Sequence, residues 1–178
     1  ILVESQSPPL RDIATTMMKV SQNLYAETLL KAVAAARGDV GSTEAGAGVA
    51  REIFASWQIP PATYVQADGS GLTRYDYVTA EMMVTLLDHL YRDPKHKDAF
   101  MATLPVAGQD GTVASRLKHT RAEANAAAKT GSISNVRALS GYVRSRDGQT
   151  LAFSILANNF TIPAATVNYI ADVAVETL

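Results

Sequence analysis

The tightest constraint on the fold lies near the end of the chain, where Arg146-Asp147-Gly148-Gln149 separates two runs that read as strands. An Asp-Gly step between such runs favours a tight reversal, because glycine reaches the positive-φ conformations that turn one antiparallel strand back onto the other. Ala138 to Arg144 and Thr150 to Ala157 are therefore expected to pair as a hairpin. Ala124 to Thr130 reads as a third strand and extends the hairpin to a meander, which a helix entered at Thr161-Ile162-Pro163 and running to Leu178 closes.

The chain before residue 123 is patterned differently. Ser7-Pro8-Pro9-Leu10 suits a helix start, since Ser7 can cap and Pro8 fits a first turn that needs no N–H bond; a helix is expected over 8–18. Residues 23–37 predict a second, with Tyr25, Leu29, Ala32, Val33 and Ala36 on one face and Gly38 ending it. A third is expected over 44–57, ahead of Pro60-Pro61. Tyr64-Val65-Gln66 reads as a short strand before the turn Asp68-Gly69-Ser70-Gly71. Met83, Leu86, Leu87 and Leu90 recur at helical spacing and predict a helix over 79–92, stopped by Pro94. The expected class is α+β: a mainly helical region over 1–122, then three antiparallel strands and a closing helix over 123–178.

Composition narrows the function classes. With 178 residues, 47% hydrophobic and 19% charged, the chain is sized for one domain or a large piece of one. A net charge of −1 and no basic cluster interleaved with aromatics leave no argument for nucleic-acid binding. The absence of cysteine excludes thiol catalysis and disulfides. His89, His96 and His119 have no metal-ligand spacing, and no metal or other cofactor is expected. The longest apolar runs are broken by charges well short of a membrane span. Ile1-Leu2-Val3-Glu4-Ser5 has no basic leader region or cleavage site and reads as a strand or loop entered midway.

Two triplets carry chemistry: Ser21-Gln22-Asn23, in the link between two helices, and Lys129-Thr130-Gly131, at the end of the strand that opens the meander. Each is short. Ser21 and Asn23 alone fit a helix cap, and Lys129-Thr130-Gly131 alone fits a strand ending in a turn. Together, S-x-N and K-T-G are two of the three motifs of penicillin-interacting serine enzymes, the third being S-x-x-K.

Taken with their surroundings, these blocks resemble one family. Ser7-Pro8-Pro9-Leu10, Ser21-Gln22-Asn23-Leu24-Tyr25-Ala26-Glu27, Asp68-Gly69-Ser70-Gly71-Leu72-Thr73-Arg74, and Lys129-Thr130-Gly131 followed by Leu139-Ser140-Gly141-Tyr142 are similar, in that order, to the S13 peptidases. These are the class C D-Ala-D-Ala carboxypeptidases and endopeptidases of bacterial cell walls. The resemblance implies a penicillin-binding-protein/β-lactamase-like fold, an antiparallel sheet flanked by helices. It also implies acyl transfer on peptidoglycan stem peptides in the periplasm or another extracytoplasmic space, inhibition by β-lactams, and no metal. Ser21 would relay a proton to the leaving amine, and Asn23 would hydrogen-bond the substrate amide. Lys129 would supply positive charge beside Ser21, and Thr130 would bond the terminal carboxylate. Gly131 would leave room for the substrate, and Ser132 would lend its N–H to the oxyanion hole.

The nucleophile motif departs from the family pattern. No S-x-x-K precedes Ser21, and the family serine is expected in an N-terminal portion of the same protein, with this chain inactive alone. The match at Ser115-Arg116-Leu117-Lys118 follows S-x-N and sits among Arg116, Lys118, His119 and Arg121, a segment that reads as charged and solvated; it is taken as coincidental. An isolated piece of such a sheet is expected to be marginally stable and to associate through its strand edges. The same motifs also suit a β-lactamase or esterase, or a non-catalytic relative that binds peptidoglycan or a partner. Asp68-Gly69-Ser70-Gly71 lacks a P-loop lysine and reads as a plain turn. Met17-Met18 and Met82-Met83 read as core filler and Trp57 as a packing residue. Glu27, one turn after Asn23, is open between approaching the site and lying on a solvated face.

Overall fold

The computed structural model describes residues 2–178; Ile1, expected in an opening strand or loop, lies outside them. Leu2 to Pro9 have no regular structure, and α1 runs Leu10–Val20, two residues later than expected. Pro9, not Ser7, occupies the cap, in an extended conformation that its ring accommodates and with no side-chain bond to the first turn.

The next two helices begin where a side chain satisfies one of the first free amides. α2 spans Asn23–Ala36, and Gly38 follows its last turn at φ 84°, a left-handed cap that glycine adopts without strain. α3 spans Thr43–Ser56, with the Ala45 amide donating to Ser42 Oγ at 3.1 Å. Gly46 lets α3 cross close over α2, since a Cβ there would lie 2.1 Å from the Leu30 carbonyl oxygen. The buried stripe of α2 is Leu30 and Ala34. The face expected to be buried stays largely open: Tyr25 and Val33 are exposed, and Tyr25, Leu29 and Ala32 line a groove shared with Leu10 and Ile13 of α1. α2 is apolar on more than one side, so periodicity alone could not choose between the faces.

β1 (Tyr64–Val65) pairs antiparallel with β2 (Tyr77–Val78), a small ribbon flanking the 66–76 loop. α4 spans Ala80–Arg92, its Met82 amide donating to Thr79 Oγ1 at 3.1 Å, and buries Met82 and Leu87. A short helix absent from the sequence expectation, α5 (Lys97–Thr103), follows Pro94. Its cap carries no side-chain hydrogen bond, which removes the local signal that marks α3 and α4.

The sheet has order β3-β4-β5 with both pairings antiparallel: β3 is Ala127–Ile133, β4 Val136–Arg144 and β5 Thr150–Asn158. The Asp147-Gly148 reversal is as expected, with Gly148 at φ 83°. β3 starts and ends three residues later than expected, so Lys129-Thr130-Gly131 sits mid-strand; Ser132 and Ile133 continue the ladder opposite Arg137 and Val136. Asn135, at φ 59°, makes the reversal into β4.

Alternation then sorts the residues by face. Ala128, Leu139, Val143, Phe153 and the half-buried Leu151 and Ile155 form the core against Ala171 and Val175 of α6 (Ala164–Thr177). On the opposite face Tyr142 packs with Leu87 and Leu104 beneath α4 and α5, and its hydroxyl donates to the Leu87 carbonyl at 2.7 Å. Burial pushes that phenol above its ordinary pKa. With helices on both faces β4 is buried for most of its length, whereas β5 leaves one edge unpaired among the described residues.

Candidate active site

Lys129 shares the sheet face of Tyr142, and this parity directs it toward the helical layer. There its Nζ donates to Ser21 Oγ at 2.7 Å, joining residues 108 apart in sequence, and to the Thr130 carbonyl oxygen, also at 2.7 Å. Burial pushes the Lys129 ammonium below its ordinary pKa. Ser21 reaches the contact because it ends α1 in the left-handed region (φ 58°, ψ 53°), a conformation that costs a non-glycine residue about 1–2 kcal/mol.

The end of α1 is fixed from below. Lys19 Nζ donates to both Asp110 carboxylate oxygens at 2.9 and 2.7 Å and to the Leu104 carbonyl at 2.6 Å. Asp110 also accepts the Val106 amide at 2.8 Å, while the Ala128 amide donates to Pro105, so the clamp links α1 to the segment braced against β3.

These residues line one cleft of about 620 Å³. Ser21, Gln22, Asn23 and Ala26 form one side; Lys129, Thr130, Gly131 and Ser132 of β3 form another; Gly69 to Leu72 make a third wall. Thr130 Oγ1 donates to Thr112 Oγ1 at 2.8 Å at the cleft margin. A Cβ on Gly131 would stand 3.2 Å from the Ala138 Cβ, so the glycine keeps the strand surface low.

The model of the D-Ala-D-Ala carboxypeptidase 3 (S13) family matches residues 1–177. The chain belongs to the S13 family. A D-alanyl-D-alanine carboxypeptidase of an Actinomadura species is 38% identical over 92% of this chain and 31% of the relative. A penicillin-sensitive carboxypeptidase A of Dictyostelium discoideum is 34% identical over 86% of this chain and 31% of its own length. The crystal structure of penicillin-binding protein 4 from Haemophilus influenzae superposes with a TM-score of 0.83 at 30% identity, covering 93% of this chain and 39% of that one. The TLA-1 extended-spectrum β-lactamase superposes with a TM-score of 0.71 at 15% identity, over 94% of this chain and 62% of that structure, a likeness of fold. The fold is of the penicillin-binding-protein/β-lactamase type. The chain spans about a third of the length of the curated relatives it matches.

Within this S13 cleft, all six residues singled out from the motifs come together: Ser21, Asn23, Lys129, Thr130, Gly131 and Ser132. Ser115 and Lys118 do not join them. Both are exposed in turns, and Leu117 between them is left-handed. Their neighbour Arg116 corrects the expectation of a solvated segment: it is half-buried, donating to Asp172 at 2.7 and 3.1 Å and to the Asn168 carbonyl at 3.3 Å, and it lines the cleft. The ion pair spans 56 residues, which no local pattern announces. Met17 and Met18 also border the cleft, and the 69–72 segment, expected to be a plain turn, forms its wall. Trp57 stacks on His89 with ring centres 5.3 Å apart, a packing role as expected.

Proposed function

We propose that residues 1–178 form part of the catalytic domain of a serine-type D-Ala-D-Ala carboxypeptidase, extending to D,D-endopeptidase action, on peptidoglycan stem peptides outside the cytoplasm. The observation that carries this reading is the 2.7 Å contact between Lys129 Nζ and Ser21 Oγ within a cleft walled by an edge strand.

Acyl transfer needs a nucleophile, a proton path to the leaving amine, donors for the oxyanion and a grip on the terminal carboxylate. Lys129 donates to Ser21, which leaves the serine hydroxyl proton free to point at an amine leaving group in the cleft. Lys129 supplies charge for the carboxylate, and the Thr130 hydroxyl, which donates to Thr112, would turn its proton to the carboxylate on binding. Asn23, from the first turn of α2, meets the substrate amide. β3 is an edge strand, so an extended peptide can lie along it, with the Ser132 N–H completing the oxyanion hole. The nucleophile is assigned to an S-x-x-K serine in an N-terminal portion of the same protein, whose acyl-enzyme β-lactams would trap.

The test is acylation by a labelled penicillin of the protein that carries this chain together with its S-x-x-K segment, followed by peptide mapping. The expected adduct lies on a serine outside residues 1–178. An adduct on Ser115 or Ser21, or no adduct at all, overturns the assignment.

A further inference from the structure

One carboxylate holds the loop wall of the cleft onto the helix that presents Asn23. Glu27 lies on α2 one turn beyond Asn23 and is half-buried. Its Oε2 accepts the Gly69 amide at 2.7 Å across 42 residues of sequence, and its Oε1 accepts Thr43 Oγ1 at 2.6 Å from the first turn of α3. Lys31, one turn further along α2, stands 3.4 Å from the same Oε1. Three elements therefore converge on a single side chain.

The geometry at Gly69 makes the attachment specific. A Cβ there would lie 2.8 Å from the Ala26 carbonyl oxygen and 2.9 Å from Glu27 Cα, so the loop backbone rests directly on α2. The loop also has its own internal frame. Asp68 accepts the Gly71 amide at 2.5 Å, the Thr73 amide at 3.0 Å and the Ser70 hydroxyl at 3.2 Å. Asp76 accepts the Ala67 amide at 2.6 Å. The Glu27 bond ties this braced loop to α2 at Gly69, while Arg74 Nη2 donates to the Ser134 carbonyl at 3.1 Å and ties its far side to the β3–β4 turn. Gly69, Ser70, Gly71 and Leu72 then face Lys129 to Ser132 across the cleft.

We propose that Glu27 is a positioning residue for the acyl-transfer site: it sets the distance between the 69–72 wall and β3, and so the fit of the bound peptide, without touching the reacting atoms. The inference rests on the acyl-transfer reading of this cleft. The Thr43 hydroxyl and the Gly69 amide hold the Glu27 carboxyl below the usual carboxylate range, so it is ionised, and a stronger acceptor, throughout neutral pH.

The experiment compares wild type, Glu27→Ala, Glu27→Gln and Gly69→Ala in the protein that carries this chain with its nucleophile segment. The first readout is amide hydrogen exchange over residues 69–73, which needs no activity. Glu27→Ala should raise exchange there by about tenfold while β3 and β4 keep their protection, and Glu27→Gln, which retains an oxygen acceptor, should restore most of it. The second readout is penicillin acylation, normalised to the titrated active fraction. The half-saturating penicillin concentration should rise by about tenfold in Glu27→Ala and Gly69→Ala, with the limiting acylation rate within about threefold of wild type. A merely structural role would lower the active fraction and leave the half-saturating concentration of the remainder unchanged; that result overturns the proposal. So does unchanged exchange at 69–73. If wild type is not acylated, the acyl-transfer reading fails by itself, and the exchange arm still decides whether Glu27 holds the wall.

Discussion

Gly141→Ala tests whether the spacing of β3 and β4 sets the Lys129–Ser21 contact. Gly141 pairs with Ala128, next to Lys129, and a Cβ at 141 would stand 2.1 Å from the Ala127 carbonyl oxygen and 2.6 Å from Ala128 Cα. A carbon normally approaches a carbonyl oxygen no closer than about 3.3 Å, so the strands must part locally by about 1.2 Å. That separation takes ladder hydrogen bonds of about 2.9 Å beyond their useful range. Overpacking costs about 1–3 kcal/mol and each lost bond about 1 kcal/mol, so a destabilisation of about 3–5 kcal/mol is expected. The entropic gain of replacing glycine, about 0.4–1 kcal/mol, is too small to offset it. A displacement of about 1.2 Å along the Lys129–Ser21 contact would lengthen it from 2.7 Å to about 3.9 Å, beyond hydrogen-bond reach. In the protein that carries this chain with its nucleophile segment, urea denaturation gives the stability change from the midpoint at constant slope, and penicillin acylation gives the site effect. Gly48→Ala is the control: its Cβ would meet nothing nearer than Arg51 Nη2 at 3.6 Å, so a gain of about 0.5–1 kcal/mol is expected within α3. A Gly141→Ala protein within about 0.5 kcal/mol of wild type and with full acylation would refute the reasoning.

In the protein that carries this chain with its nucleophile segment, Lys129→Ala should lower the acylation rate by about 10²–10³, as for loss of one strong electrostatic contact, and an unchanged rate in stopped-flow acylation would remove Lys129 from the mechanism. Burial depresses the Lys129 pKa in the fold, so the unfolded chain binds more protons between the folded value and about 10.4. Stability should therefore rise with pH through that window, and the rise should be smaller in Lys129→Met when the two denaturation series are compared. Lys19→Met leaves Asp110 without its cation; with Asp110 partly exposed, a loss of about 1–2 kcal/mol is expected in the same denaturation assay. Burial raises the Asp110 carboxyl, but the Lys19 hydrogen bond, the Val106 amide and the Lys19 charge outweigh it and hold the pKa below its ordinary value. The stabilisation from this clamp is thus present above the unfolded carboxylate value and lost as pH falls through the folded one. An acid-unfolding curve that Lys19→Met leaves unshifted would exclude that linkage.

Elements that satisfy their own backbone were readable from local sequence. The apolar spacing of Met83, Leu86, Leu87 and Leu90 placed a helix whose start falls within a residue of expectation, Gly38 ends α2, and Asp147-Gly148 turns the hairpin, because each acts over only a few residues; the Ser42 and Thr79 caps were seen only in the structure. α5 was not readable, since a seven-residue helix with no side-chain cap depends on packing Phe100 and Met101 against Tyr142. The extension of β3 beyond Gly131 was hidden for a similar reason: Ser132 and Ile133 are held in the strand by Arg137 and Val136 opposite.

The sequence by itself determined which residues the site draws on, through two triplets and their flanking blocks, and it fixed their local settings: Ser21 and Asn23 at a helix–helix link, Lys129 on a strand. What joins them was decided in three dimensions. Strand parity points Lys129 at the helical layer, the Lys19–Asp110 clamp brings the end of α1 to meet it, and Glu27 and Arg116 reach partners 42 and 56 residues away. Contacts of that range carry no periodic or local signature, because they form only when separately specified elements pack, and that packing places the Ser21 hydroxyl beside the Lys129 ammonium.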